Sequence, residues 1–161
     1  MASGAAINYR AAGVPEYIET GFDQFIAVYN DTGADVAEGS VIEVSFANST
    51  TAAIYPQIVK PATESAVMHV VGVVNNALLG SGPIKASTWG FVQIRGYCPS
   101  VLMAGAATVS HTLVTTNSAY TATDTAAATQ TTATFGIVKT SNAVSPYTTD
   151  AFLYGKLIAL T

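Results

Sequence analysis

No stretch of this 161-residue chain carries four helical turns of amphipathic pattern, and turn-forming residues interrupt it at short intervals. Apolar residues come in brief runs bounded by Gly, Pro, Asn, Asp and Ser, which is the pattern of strands joined by turns. Residues 25–29 (Phe-Ile-Ala-Val-Tyr) predict a strand. Asn30-Asp31-Thr32-Gly33 predicts a turn, because Asn and Asp bond their own backbone and Gly accepts a positive φ. After a second turn at residues 37–40, residues 41–46 alternate. Ile42, Val44 and Phe46 are expected inward and Val41, Glu43 and Ser45 outward, as in a half-buried strand. Residues 54–60 predict an edge strand, since Pro56 cannot donate to a ladder. The denser apolar run at 67–74 predicts a more buried one, and further strands are expected near 112–115, 135–139 and 152–160. Residues 117–134 are a Thr/Ala-rich low-complexity stretch with one charge, Asp124. The fold class is all-β, a β-barrel or β-sandwich of short strands.

Residues 1–24 break this pattern. Pro15 and three glycines (Gly4, Gly13, Gly21) exclude a helix, yet Tyr9, Tyr17, Ile18 and Phe22 are too apolar for a solvated tail. The expectation is an extended N-terminal arm that docks on its own domain, a sister subunit or another protein. Residues 25–161 then form a single β domain.

The stretch Trp89-Gly-Phe-Val-Gln-Ile-Arg-Gly-Tyr97 holds the chain's one tryptophan and one of its two arginines. As a strand it points Trp89, Phe91, Gln93, Arg95 and Tyr97 one way and Val92 and Ile94 the other. Gly90 and Gly96 would let the backbone turn or bulge at each end. Flat rings around one cation suit a protein–protein contact, with Arg95 packed on Trp89 or Tyr97. An internal echo flanks this stretch. A strand from Val41, a Thr/Ala stretch and Val71-Gly-Val-Val-Asn75 recur in order as a strand around Leu113, a Thr/Ala stretch and Phe135-Gly-Ile-Val-Lys139. The echo implies two related β units on either side of the Trp89 strand.

Only 10% of residues are charged, against about 25% in an ordinary soluble domain. A surface so poor in charge suits coverage by copies of itself or by a larger assembly; a secreted protein with a Ser/Thr surface is the alternative. The net charge is −4 and no Lys/Arg cluster exists, so direct binding to nucleic acid is not expected. No apolar run approaches the length of a membrane helix. Met-Ala-Ser-Gly-Ala-Ala lacks the basic start and apolar core of a signal peptide, which points to synthesis in a cytoplasm. Cys98 stands alone and reads as a small buried hydrophobe. Nucleophile elbows, phosphate-binding loops and zinc-protease motifs are absent. His69 and His111 lie far apart, Asp31 and Asp35 read as turn carboxylates, and Glu16 and Glu19 have no helix to share. No catalytic residue, cofactor or metal is expected.

The order of elements over residues 36–160 resembles small tailed-bacteriophage virion proteins. In that order Leu102-Met-Ala-Gly105 follows the central segment, and the recognisable sequence is Trp89-Gly-Phe-Val-Gln-Ile-Arg-Gly96 and the two Gly-Val/Ile-Val strands. Head decoration proteins, also called capsid cement proteins, are the class it is most similar to. The resemblance implies a β module that binds the major capsid protein on the exterior of the virion, often as a trimer with an N-terminal arm on its neighbours. It would reinforce the shell without catalysis. The expected contact residues are Tyr9, Arg10, Tyr17 and Phe22 in the arm and Trp89, Arg95 and Tyr97 on the central strand. A phage tail, fibre or baseplate β module, or a carbohydrate-binding β-sandwich, are the alternatives.

Overall fold

The computed structural model describes residues 6–9, 15–20, 22–45, 57–59, 69–115, 120–126, 134–154 and 157–158. Side chains are described in 22–43, 71–115, 120–126 and 134–154, and backbone pairing alone in the other strands. Among the described residues the regular structure is strand, joined by turns and loops, with one 3-10 turn, Ala77–Leu79. The strands are β1 (Ala6–Tyr9), β2 (Pro15–Thr20), β3 (Asp23–Tyr29), β4 (Val41–Ser45), β5 (Gln57–Val59) and β6 (His69–Val74). They continue as β7 (Trp89–Leu102), β8 (Thr112–Thr115), β9 (Ala122–Thr125), β10 (Thr134–Val138), β11 (Thr148–Tyr154) and β12 (Leu157–Ile158).

All join one nearly closed, mostly antiparallel sheet. The N-terminal segment pairs as two antiparallel strands, and β2 lies along β3, so the arm docks on its own domain. Strands β3, β5, β4, β6 and β7 form a ring, because β7 pairs with β6 on one edge and β3 on the other. The ring closes through one parallel pair, Tyr29 with Gln57. Strand β5 is therefore no edge strand; it lies between β4 and β3. The second half of β7 continues with β11, β10, β8 and β9, and a parallel bridge from Met103 to Ala122 brings β9 back to β7.

The echo is thus a structural duplication. The first unit has ring order β3-β5-β4-β6-β7, and the second has β7-β9-β8-β10-β11. Hydrogen bonds repeat between them position by position. Gly39 N–H donates to Val74 O, and Ser110 N–H to Val138 O. Val74 N–H donates to Ser40 O, and Val138 N–H to His111 O. Asn75 N–H donates to Phe91 O, and Lys139 N–H to Asp150 O. The reciprocal bridge of Val36 with Ile84 recurs as Ala107 with Asn142. Gly72 and Gly136 sit where a Cβ would lie 2.8 Å from the next strand's carbonyl, Gln93 O in one unit and Phe152 O in the other. Strand β7 does not stand between two units. It is the last strand of the first and the first strand of the second.

The core divides accordingly. Ile26, Val28, Val36, Ile42, Val74, Ile84 and Val92 fill the first ring. Cys98, Val101, Met103, Ala107, Leu113, Phe135, Val138, Ala151 and Leu153 fill the second, joined there by Val41, Val71 and Val73 of the first unit. This overturns the half-buried reading of β4: Val41, Ile42 and Glu43 are all buried. The outward face of β4 is covered because the second unit packs against it. Two other strand readings also change. β9 lies inside the Thr/Ala-rich stretch, where its alternation was too polar to read. The final segment is two strands, β11 and β12.

Candidate protein-binding face

The joint in β7 lies at Gly96. Its φ is +95°, a left-handed conformation that costs a residue with a Cβ. Here β7 changes partners: Arg95 lies opposite both Gln24 of β3 and Tyr154 of β11. Side chains hold the joint. Gln93, fully buried, donates from Nε2 to Arg95 O (3.1 Å) and Tyr97 O (2.9 Å), and its Oε1 accepts from Asn75 Nδ2 at 2.8 Å. The Asp23 carboxylate accepts from Tyr97 N–H at 2.9 Å. Two residues further on, β7 bulges at Pro99-Ser100, where a missing N–H does no harm to the ladder.

Beyond the joint, β7 and β11 present an aromatic face to solvent. Tyr97 lies opposite Phe152, their rings 5.7 Å apart and tilted by 55°. Tyr97 is 39% exposed, Phe152 48% and Tyr154 42%. Phe22 is 90% exposed, and its carbonyl lies beside Gly96. The Tyr97 hydroxyl donates to Asp150 Oδ2 at 3.1 Å. The cation over the Tyr97 ring is Lys139, 4.5 Å from its centre and 3.5 Å from Asp150, not Arg95 as its place in the strand suggests. Hydrogen bonding to the Asp150 carboxylate raises the Tyr97 pKa above 10, with partial desolvation adding to it. Desolvation opposes ionisation of Asp150, but hydrogen bonds from Thr140 and Tyr97 and the charge of Lys139 outweigh it and lower its pKa.

A shallow groove of about 430 Å³ beside Tyr97 is lined by Pro99, Thr140, Ser141, Asn142, Thr149 and Asp150, among others. Its polar groups mostly bond one another. Thr149 Oγ1 donates to Thr140 O (2.6 Å) and Asn142 Nδ2 to Thr148 O (2.7 Å), while Asn142 Oδ1 accepts from Val144 N–H. A small-molecule site needs convergent polar groups free to meet a ligand, and this groove spends its own on structure. Among the described residues no group of three or more His, Cys, Asp or Glu could hold a metal ion. His111 pairs with Asp124 at 2.8 Å, and Asp35 accepts from Lys85 and from Ala86 N–H. Burial pushes the Cys98 thiol up to about 12.

Of the sequence-predicted contact residues, Phe22, Arg95 and Tyr97 come together at the joint. Trp89 does not. It is half-buried in the first unit, edge-on to Tyr29 at 5.6 Å and packed against Phe25, Ala27 and Phe91. Arg10 and the side chains of Tyr9 and Tyr17 lie outside the described residues. Sequence reasoning missed Phe152, Tyr154, Lys139 and Asp150. The alternation Ala151/Leu153 in and Phe152/Tyr154 out is legible, but pairing with Tyr97 is a tertiary fact.

No protein-family model matches the chain, and no curated protein matches it. The fold is similar to a crystal structure, the head fiber gp8.5 N base in bacteriophage phi29. The likeness covers 83% of this chain and 95% of that one, with a TM-score of 0.53 and 11% sequence identity. At this identity it shows a shared fold alone.

Proposed function

We propose that this chain is a structural protein of a bacteriophage virion, a head decoration protein that binds the exterior of the assembled capsid as an oligomer and stabilises it without catalysis. The observation that carries this reading is the shared fold with the head fiber base, which spans most of both chains. Two features support it. The aromatic face around Tyr97 and Phe152 has the composition of a protein contact: exposed rings beside Lys139 and Arg95. The chain as a whole is poor in charged residues, which suits a protein covered by an assembly. The major capsid protein is the partner this reading requires, and neither nucleic acid nor membrane is engaged. Binding only the assembled lattice stabilises that lattice by mass action, and several linked copies add avidity.

The test is co-sedimentation of purified protein with purified capsids, followed by heating. Bound protein should raise the temperature at which capsids release their DNA. Protein that stays in the supernatant sinks the reading. Because the similar structure is a fiber base, a second reading is the foot of a fibre on the particle. Gold-labelled chains scattered over the whole shell favour decoration; labels confined to fibre feet favour the second reading.

A further inference from the structure

The duplication makes the two units comparable row by row. In the first unit, Val41, Val73, Gln93 and Phe25 lie opposite one another across β4, β6, β7 and β3, so they form one row on one face. The row in the same place in the second unit is Thr112, Ile137, Phe152 and Tyr97 across β8, β10, β11 and β7. The first row is buried throughout. Val41 and Val73 join the second unit's core cluster, and backbone bonds seal the edge: Leu102 N–H donates to Gly39 O and Val41 N–H to Tyr120 O, both at 2.8 Å. In the second row only Thr112 is buried. Ile137 is partly exposed, and Phe152 and Tyr97 are open to solvent.

Phe25 is buried with Ala27, Phe91 and Trp89 of its own unit, so the part of this face that the second unit covers is the Val41–Val73 side. In the second unit the matching side ends in Ile137, partly exposed beside the open rings of Phe152 and Tyr97. From this we infer that the Ile137–Phe152–Tyr97 face binds a second copy of this chain, head to tail, as the Val41–Val73 side of the first unit's face meets the second unit within one chain. The inference rests on the reading of this face as a protein contact and names its partner. The receiving surface on the second copy is the first-unit counterpart of the corner at Leu102, which is the end of β3 at Tyr29. The correspondence follows from pairing, since Leu102 lies opposite Thr148 as Tyr29 lies opposite Trp89. A single-chain unit with one face used and one receiver used is left with one of each. Such a heterologous contact propagates until a ring closes it. The residues suit it: two aromatic rings and an aliphatic side chain, rimmed by Lys139, Asp150 and Arg95.

The test is sedimentation mass over a dilution series for the wild type, Phe152→Ser and Tyr97→Ser, with circular dichroism to verify folding. The wild type should be an oligomer larger than a dimer. Each folded variant should weaken self-association roughly 30-fold or more, the loss expected for a central aromatic anchor. A wild type that stays monomeric, or folded variants of unchanged mass, overturns the inference. A tagged Phe152→Ser chain keeps its receiving surface and should still capture untagged wild-type chain; failure to do so overturns the head-to-tail geometry. Capsid co-sedimentation separates this from the function proposed above. Variants that keep their mass but lose capsids place the shell, not a copy, on this face and overturn the inference alone. A wild-type oligomer dissolved by Phe152→Ser that ignores capsids upholds the inference and removes the capsid reading.

Discussion

Gly96→Ala should be the costliest alanine substitution among the described glycines with positive φ, and the structure gives its size. The first contribution is backbone. At φ +95° an alanine sits in left-handed territory, at about 1–2 kcal/mol. The second is space. A Cβ there would run into the Asp23 carboxylate and lie 2.8 Å from both Phe22 O and Asp23 Cα. Backbone cannot swing aside like a side-chain tip, so the start of β3 must move off β7. That breaks the bond from Tyr97 N–H to Asp23, a hydrogen bond to a charged group near the surface, at about 1.5 kcal/mol. The sum is about 3 kcal/mol. Gly33→Ala is the matched control: its φ is +77°, and nothing lies within 4 Å of the added Cβ. It should lose only the backbone part, about 1–2 kcal/mol. Urea denaturation followed by tryptophan fluorescence reads the difference. With a slope of about 2 kcal/mol per molar, Gly96→Ala should have a midpoint roughly 0.5–1 M below that of Gly33→Ala. Equal midpoints, or a lower one for Gly33→Ala, would refute the claim that the two units are clamped at this joint.

Gln93→Leu removes two donors and one acceptor from a fully buried site and strands Arg95 O, Tyr97 O and Asn75 Nδ2; it should destabilise the chain by about 2–4 kcal/mol in thermal or urea melts, and a loss under about 0.5 kcal/mol would show that water replaces the amide. Cys98, its pKa pushed up by burial to about 12, should resist alkylation at pH 8 in the native state and react at once on unfolding. Because its folded pKa lies above the ordinary value of 9, the stability it contributes is full below pH 9 and is lost as pH rises towards 12; Cys98→Ala should flatten that part of the alkaline decline in urea midpoint. Asp150→Asn removes the carboxylate that raises the Tyr97 pKa, so ultraviolet titration should find one tyrosine ionising at lower pH than in the wild type, nearer 10.

The strand pattern was legible wherever polar and apolar residues alternated against a turn. The turn at residue 30 is an example. Asn30 donates from Nδ2 to Ala34 O and Ile84 O and accepts from Thr32 N–H and Oγ1, the local chemistry its sequence announces. Strand β4 marks the limit. Its outward Val41 and Glu43 read as solvent-facing because alternation reports two faces and not what covers them. Strand β9, Ala-Thr-Asp-Thr, has too few apolar residues to register as a strand at all; only pairing with β8 defines it. At the candidate face, Phe22 was legible as an apolar residue of the N-terminal arm and Tyr97 as part of the aromatic face of the central strand. Lys139, Asp150 and Phe152 were not, since what joins them to Tyr97 is the register of β7 against β11.

By itself, then, the sequence determined an all-β chain, buried Cys98, marked 89–97 as its central strand and carried a faint duplication in Val-Gly-Val-Val and Phe-Gly-Ile-Val. Those properties are local: side-chain alternation, turn chemistry and the need for glycine where strands approach closely. The tertiary structure alone decided that one strand serves both units, that Lys139 and not Arg95 caps Tyr97, and that one copy of a repeated face is buried while the other is open. These depend on pairing between residues distant in the chain. A strand's sequence sets which side chains share a face, but only its neighbours set what that face meets.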